Sequence, residues 1–406
     1  MTQTTHIRTT AAPGHPGEVF GAFLKLGLTS FGGPIAHLGY FRDELVLRRR
    51  WLSEQAYADL VALCQFLPGP ASSQVGFALG MMRAGWLGAL AAFVAFTLPS
   101  ALALTVFALT ASGISGAIGQ GALHGLKIVA VAIVAQAVWG MARSLCPDRL
   151  RASLAVGAVI LLAALPGAVG MMAAIALGAL AGWALIPAAP AVTAIEHLHL
   201  PVTKRQGLVA LGLFTALLVG LPMLAGLSQG VAVADRFYRA GALVFGGGHV
   251  VLPLLQAQIV APGWVSADQF LAGYGAAQAV PGPLFTFAAY LGVVLGPAPH
   301  GLAGAALALM AVFLPGFLLL IGVLPFWSQF QSQRGAVLAM QGANAAVVGI
   351  LGAALYSPVF SSSVRDMPDF ALALACFVAL MMWKAPPWLV VLMAAAGGVL
   401  LQLLRG

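Results

Sequence analysis

The chain has 406 residues, 61% of them hydrophobic and 7% charged, with a mean hydropathy of +0.98. A soluble domain carries about 25% charged residues, so this composition excludes a soluble globule and requires an all-α polytopic membrane protein. The formal net charge of +8 fits basic cytoplasmic loops, with a share left to act on an anionic substrate; no nucleic-acid partner is expected.

In chain order, residues 1–17 are a polar tail, assigned to the cytoplasm. They lack an apolar signal core, so no cleaved secretory peptide is expected, and no lipidation motif is present. Two segments follow, 18–46 and 53–83, that are apolar but broken near their middles, at Gly32-Gly33-Pro34 and Pro68-Gly69-Pro70. Uninterrupted apolar stretches then run over about 86–111, 125–143, 150–165 and 168–186. The proline-rich, charged stretch 186–206 reads as a linker between halves. Beyond it come an apolar stretch at 207–226, two more broken segments at 233–260 and 267–298, and four stretches at 302–326, 336–356, 368–384 and 387–404. This predicts nine full spans, since a span needs about 20 residues with a lower limit near 17.

The second half repeats the first. "SFGGPIAHL" answers to "VFGGGHVVL", with Phe31 matching Phe245, and "QFLPGP" from Gln65 answers to "QAVPGP" from Gln278. Trp51-Leu52-Ser53 matches Trp264-Val265-Ser266, and "TLPSALAL" matches "FLPGFLLL". One order and a nearly constant offset of 213 to 216 residues indicate an internal duplication. The expected division is 1–17 tail, 18–188 first repeat, 189–229 linker plus one extra span, and 230–406 second repeat.

Loop charge orients the chain. If each broken segment is re-entrant, Arg48-Arg49-Arg50, Arg83, Arg143, Arg149, Arg151, Lys204, Arg205, Arg334 and Lys384 all fall on the cytoplasmic side. If each crosses once, the triple arginine faces out, so the re-entrant arrangement obeys the positive-inside rule better. The extra span at 207–226 then makes the second repeat enter from the opposite face, giving inverted repeats around a midplane site.

A broken helix in lipid is tolerated where it lines a polar cavity or is buried in protein. Pro34 and Pro70 read as helix starts at membrane depth, and helix starts present free N–H groups and about half a positive charge to an anion. Four such starts, two per repeat, form a candidate cradle for a tetrahedral dianion. Its residues are Gly32, Gly33, Pro34, Pro68, Gly69, Pro70, Gly246, Gly247, Pro281, Gly282 and Pro283, with Ser72, Ser73 and Thr286 as hydroxyl donors and Gln65 and Gln278 as amide donors. Lys25 and Arg239 each lie seven residues before a break, and Lys127 matches Asn344; all four are candidate binding residues, because charge inside a membrane is costly and usually functional. Asp59, whose counterpart is Ala272, is the candidate carrier of a coupling proton. His37 and His249 lie just beyond the two doublets and read as buried, satisfied histidines. Gly85 and Gly88 read as helix-packing residues. Cys64, Cys146 and Cys376 are far apart, and the histidines do not cluster, so no disulfide framework and no metal cofactor are expected.

"FLKLGLTSFGGPIAHLGYFRDELV" followed by "QFLPGPASSQVGFALG" resembles the chromate ion transporter family in its long, two-domain form. The resemblance implies efflux of chromate across a bacterial inner membrane, with resistance as the outcome and proton-motive force or anion exchange as the energy source. Sulfate is the look-alike anion. The rival readings are an uncoupled anion channel and a transporter of sulfate or another oxyanion; no catalytic constellation points to an enzyme. The bilayer is the expected surrounding, and a homodimer is the base-rate oligomer.

Overall fold

A computed structural model of the chain describes residues 14–111, 113, 116–187, 201–327 and 333–405. Residues 1–13 of the tail and 188–200 of the expected linker lie outside the described residues. The described residues form helices and loops without strands. Among the described residues, seven helices are long and apolar enough to cross a membrane, and the stretches at 150–165 and 368–384 form helices of 16 and 15 residues. The protein is an all-α polytopic membrane protein.

The broken segments give helices too short to span. α1 (Pro16–Thr29) has 14 residues, and α2 (Gly33–Phe41) continues as a seven-residue π-helical stretch, Arg42–Arg48. α3 (Glu54–Phe66) has 13 residues. At about 1.5 Å per residue each of α1 and α3 extends about 20 Å, short of a hydrocarbon core of about 30 Å. α4 (Ala71–Ala111) is two helices joined by a non-helical turn at Ala84 and Gly85. Gly85 therefore makes the turn rather than packing, while Gly88 packs: a Cβ there would meet the Ala84 methyl at 2.8 Å and the Gly80 carbonyl carbon at 3.1 Å.

Each pair of short helices doubles back. Glu18 on α1 accepts from the Trp51 indole at 3.1 Å and from Arg83 at 3.0 Å, and Lys25 pairs with Glu44 at 2.8 Å. Phe23 touches Phe41 edge-on at 5.4 Å. Both ends of both hairpins thus lie together, with the breaks at the far tips.

The remaining helices are α5 (Gly116–Leu145), α6 (Arg149–Ala164), α7 (Ala168–Leu185) and α8 (Lys204–Leu224). The second half follows the order of the first: α9 (Gln229–Ala242), a 3-10 turn running into α10 (Val251–Leu255), α11 (Ala267–Ala277), α12 (Phe287–Val294), α13 (Gly301–Val323), α14 (Arg334–Ala354), α15 (Met367–Met381) and α16 (Pro387–Leu404). α8 stands without a counterpart. The long helices after the hairpins pack across the halves, α5 on α16 and α7 on α14.

Small residues make these crossings close, which suits helices whose surroundings are as apolar as their side chains. A Cβ on Gly178 would meet Ala346 at 2.6 Å, and one on Gly182 would meet Gly342 at 2.7 Å, so α7 and α14 run antiparallel. Gly121 approaches Val399, and Gly125 approaches Ala395, so α5 and α16 are antiparallel as well. Gly342→Leu is expected to cost about 1–3 kcal/mol through overpacking, seen as a lower Tm in detergent. Gly212→Leu, where a Cβ meets nothing within 4 Å, should leave Tm unchanged.

Candidate functional site

The four tips meet at the centre of the fold, and they do so reciprocally. The Gly69 N–H donates to the Val244 carbonyl at 2.8 Å, and the Gly282 N–H donates to the Ser30 carbonyl at 2.9 Å. Each bond joins a Pro-Gly-Pro tip of one half to the residue before the other half's Phe-Gly-Gly. Both glycines are left-handed, with φ of +124° and +104°, and both touch backbone or a short side chain: a Cβ on Gly69 would lie 2.9 Å from the Gly316 Cα, and one on Gly282 would lie 2.8 Å from Ser100 Oγ. Ser100 and Gly316 are themselves matched positions of the duplication. A side chain at either glycine would force these contacts apart.

The doublets also face each other. A Cβ on Gly33 would lie 3.6 Å from His249 Nε2, and one on Gly248 would lie 2.9 Å from Pro34 Cγ. His249 Nδ1 lies 2.9 Å from the Tyr274 hydroxyl, and His37 Nδ1 lies 3.3 Å from Ser72 Oγ. Both histidines therefore stand among the tips with one ring nitrogen engaged.

The helix starts differ between halves. α2 starts at Gly33 with Pro34 in its first turn, and the first part of α4 starts at Ala71 directly after Pro70. In the second half the chain begins with 3-10 turns, Gly248–Val250 and Leu284–Thr286, before the α-helices. Of the four expected helix starts, the first half supplies two α-helical ones and the second half two 3-10 turns. Gly248 in place of a proline leaves the first turn unbiased, and Thr286 turns its hydroxyl back onto the Pro283 carbonyl at 2.7 Å.

Seven buried polar atoms on these segments or on helices packed against them have no hydrogen-bond partner among the described residues: Ser30 Oγ, His37 Nε2, Ser73 Oγ, Gln74 Oε1, Thr97 Oγ1, Gln278 Nε2 and Asn344 Oδ1. Buried polar atoms are nearly always paired, so these seven stand out. Asn344 Oδ1 lies 3.6 Å from where a Gly246 Cβ would sit, which brings Asn344 to a tip.

The cations lie elsewhere. Lys25 is half-exposed beside Glu44, which also holds Arg48 and Arg49. Arg239 is held by Asp235 one turn earlier on α9. Lys127 pairs with Asp268 at 2.9 Å, in a cavity that contains none of the tip residues. Asp59 accepts from Gln55 at 3.0 Å. Gln65 is exposed, while its match Gln278 is half-buried. Among the described residues no three His, Cys, Asp or Glu side chains come together to hold a metal.

The sequence reading gave no role to Gln74. Its amide donates to the Pro68 carbonyl at 3.1 Å and to the Gly316 carbonyl at 2.8 Å, bracing one tip against the other half. A buried glutamine one turn after Pro70 was the available signal. The pairing of Lys25 with Glu44, nineteen residues apart, has no local signal.

A duplicated polytopic membrane protein with broken helices meeting at its centre has the build of a membrane transport protein. The chain belongs to the chromate transporter family: the family model described as Chromate transporter matches residues 17–183 and again 231–399. The chain is 30% identical to a probable chromate transport protein of Synechococcus elongatus, covering 93% of each chain. It is 29% identical to the chromate transport protein of Pseudomonas aeruginosa, over 94% of this chain and 90% of that one, and 27% identical to that of Cupriavidus metallidurans, over 89% and 87%. No solved structure matches the chain. It is a multi-pass transport protein and not an enzyme.

Gly69→Ala and Gly282→Ala are expected to cost about 1–3 kcal/mol each, because alanine in the left-handed region is strained and the added methyl clashes. Thermal unfolding in detergent checks this, and the two losses should be of similar size.

Proposed function

We propose that the protein exports chromate from the cytoplasm across a bacterial inner membrane by alternating access, and so confers chromate resistance. The ion sits among the four tips, against the N–H groups of Gly32, Gly33 and Ile35 and of Ala71, Ser72 and Ser73. These are helix starts, and an oxyanion there meets backbone donors and the positive ends of two helix dipoles without needing a bare cation. Ser72 and Ser73 add hydroxyls on the same turn, and Gln278 and Asn344 complete the ring from the second half. Transport is coupled to proton-motive force or to anion exchange, with Asp59 as the proton carrier. The observation that carries this reading is the reciprocal pair of backbone bonds, Gly69 to Val244 and Gly282 to Ser30. A site built by two matched halves across one centre is what alternating access requires.

The repeats, 18–188 and 230–406 separated by the linker and extra span at 189–229, are read as inverted. Two observations support this. First, α14 is antiparallel to α7, and α7 is parallel to α5 through two short connections, so the matched helices α5 and α14 point in opposite directions. Second, the open ends of the first pair of hairpins gather Arg48, Arg49, Arg50 and Arg83, the composition of a cytoplasmic face. The helix over residues 86–111 leads from that face to the other, roughly 26 residues or about 39 Å away.

Cells expressing the protein should accumulate less chromate than control cells and tolerate more of it. Ser72→Ala with Ser73→Ala should reduce export by about tenfold, the effect of losing one to two hydrogen bonds to a charged group; unchanged accumulation on expression would refute the export reading. In a Cys146→Ser background, Arg50→Cys should react with an impermeant thiol reagent only from the cytoplasm and Met367→Cys only from outside. Labelling of both from one side would refute the inverted arrangement.

A further inference from the structure

A second polar cavity of about 380 Å³ lies away from the tips. It is lined by the end of α4, the first turns of α5, the start of α11, the end of α12, Arg365 and Gln402. All of these are helix ends on the face opposite the arginine-rich one. Its cationic or ionisable groups come from two elements: His124 and Lys127 from α5, and Arg365 from the loop before α15. The acid at the wall is Asp268.

The charges are unequally committed. Asp369, behind the wall, is held by His124 Nε2 at 2.9 Å and by Arg405 at 2.7 Å. His124 is 3% exposed, and its Nδ1 has no partner among the described residues. Lys127 pairs with Asp268 at 2.9 Å, yet the lysine side chain is 8% exposed and the aspartate 72%. A buried ammonium is thus neutralised by a carboxylate that stands in solvent. Asp268 also has a second partner available, because it lies in the first turn of α11, behind the Ser266 cap, where the helix dipole favours a negative charge. Releasing Lys127 costs this carboxylate little, whereas leaving Lys127 without an anion costs a buried, uncompensated charge.

We infer that this cavity is a second oxyanion site, in which an arriving anion displaces Asp268 from Lys127 and is held by Lys127 and Arg365. The ligand is a small oxyanion of the class of chromate or sulfate, and the site is a staging post between the tips and the solvent on that face. Asp268 acts as a built-in competitor that keeps Lys127 neutralised when no ion is present. This rests on the reading of the protein as an oxyanion transporter.

The test uses the full chain, purified and also reconstituted in proteoliposomes, in a Cys146→Ser background with Gln402→Cys as reporter. Sulfate and chromate should each slow the reaction of the reporter thiol with a thiol reagent. Asp268→Asn should lower the anion concentration giving half protection by roughly fivefold, and Lys127→Gln should raise it by a similar factor, the equivalent of about 1 kcal/mol from one partly exposed ion pair. A merely structural ion pair predicts instead that both variants shift protection in the same direction, and that result overturns the proposal. The double variant guards against misfolding: it should bind as weakly as Lys127→Gln, and recovery of the protection seen without either substitution would also overturn the proposal. Proteoliposomes carrying only the reporter background separate this site from the transport reading. Transport of chromate or sulfate without anion protection of the reporter thiol sinks the site alone; protection without transport of either anion sinks the transport reading alone.

Discussion

The structure depends on how backbone polar groups are satisfied where helices stop inside an apolar environment. A helix end leaves four unpaired N–H or C=O groups, and hydrocarbon offers them nothing. Here four tips end at one place, and each half supplies the other's missing partner: Gly69 N–H to Val244, Gly282 N–H to Ser30. The tips can approach this closely because glycine occupies the left-handed positions and the contact points opposite.

The same constraint explains the exchange of helices between halves. α5 and α14, the long helices that follow the hairpins, pack on the last helix of the other half, through glycine-on-glycine crossings such as Gly182 against Gly342. Close backbone approach takes the place of a hydrophobic driving force, which does not act between helices in lipid. The halves are therefore interlocked at the periphery, and at the centre they are joined by the two backbone bonds and by the Gln74 amide on the Gly316 carbonyl.

Charge is arranged to keep cations off the centre. Lys25, Arg239 and Lys127 each sit next to a carboxylate, Glu44, Asp235 and Asp268. The halves also differ where their sequences depart, with Pro34 and Ser72-Ser73 of the first answered by glycine and Phe285-Thr286 in the second. The first repeat opens its tips with α-helices behind prolines, and the second with 3-10 turns, so the two sides of the centre present their N–H groups with different spacing.

Much of this was legible in the sequence. Composition required the membrane, the constant offset between "QFLPGP" and "QAVPGP" required a duplication, and prolines and glycines in apolar runs located the tips. These are local or periodic signals, and each follows from what one residue type does to its own backbone. The partners were not legible. That Glu44 neutralises Lys25, that His249 faces Gly33, that Gln74 braces Gly316 and that Lys127 leaves the tips for a separate cavity all join positions set by the crossing of helices. Sequence by itself determined where the helices must break, because backbone geometry is local. Only the tertiary structure decided which groups meet across the break, because that depends on how two halves of one chain are packed against each other.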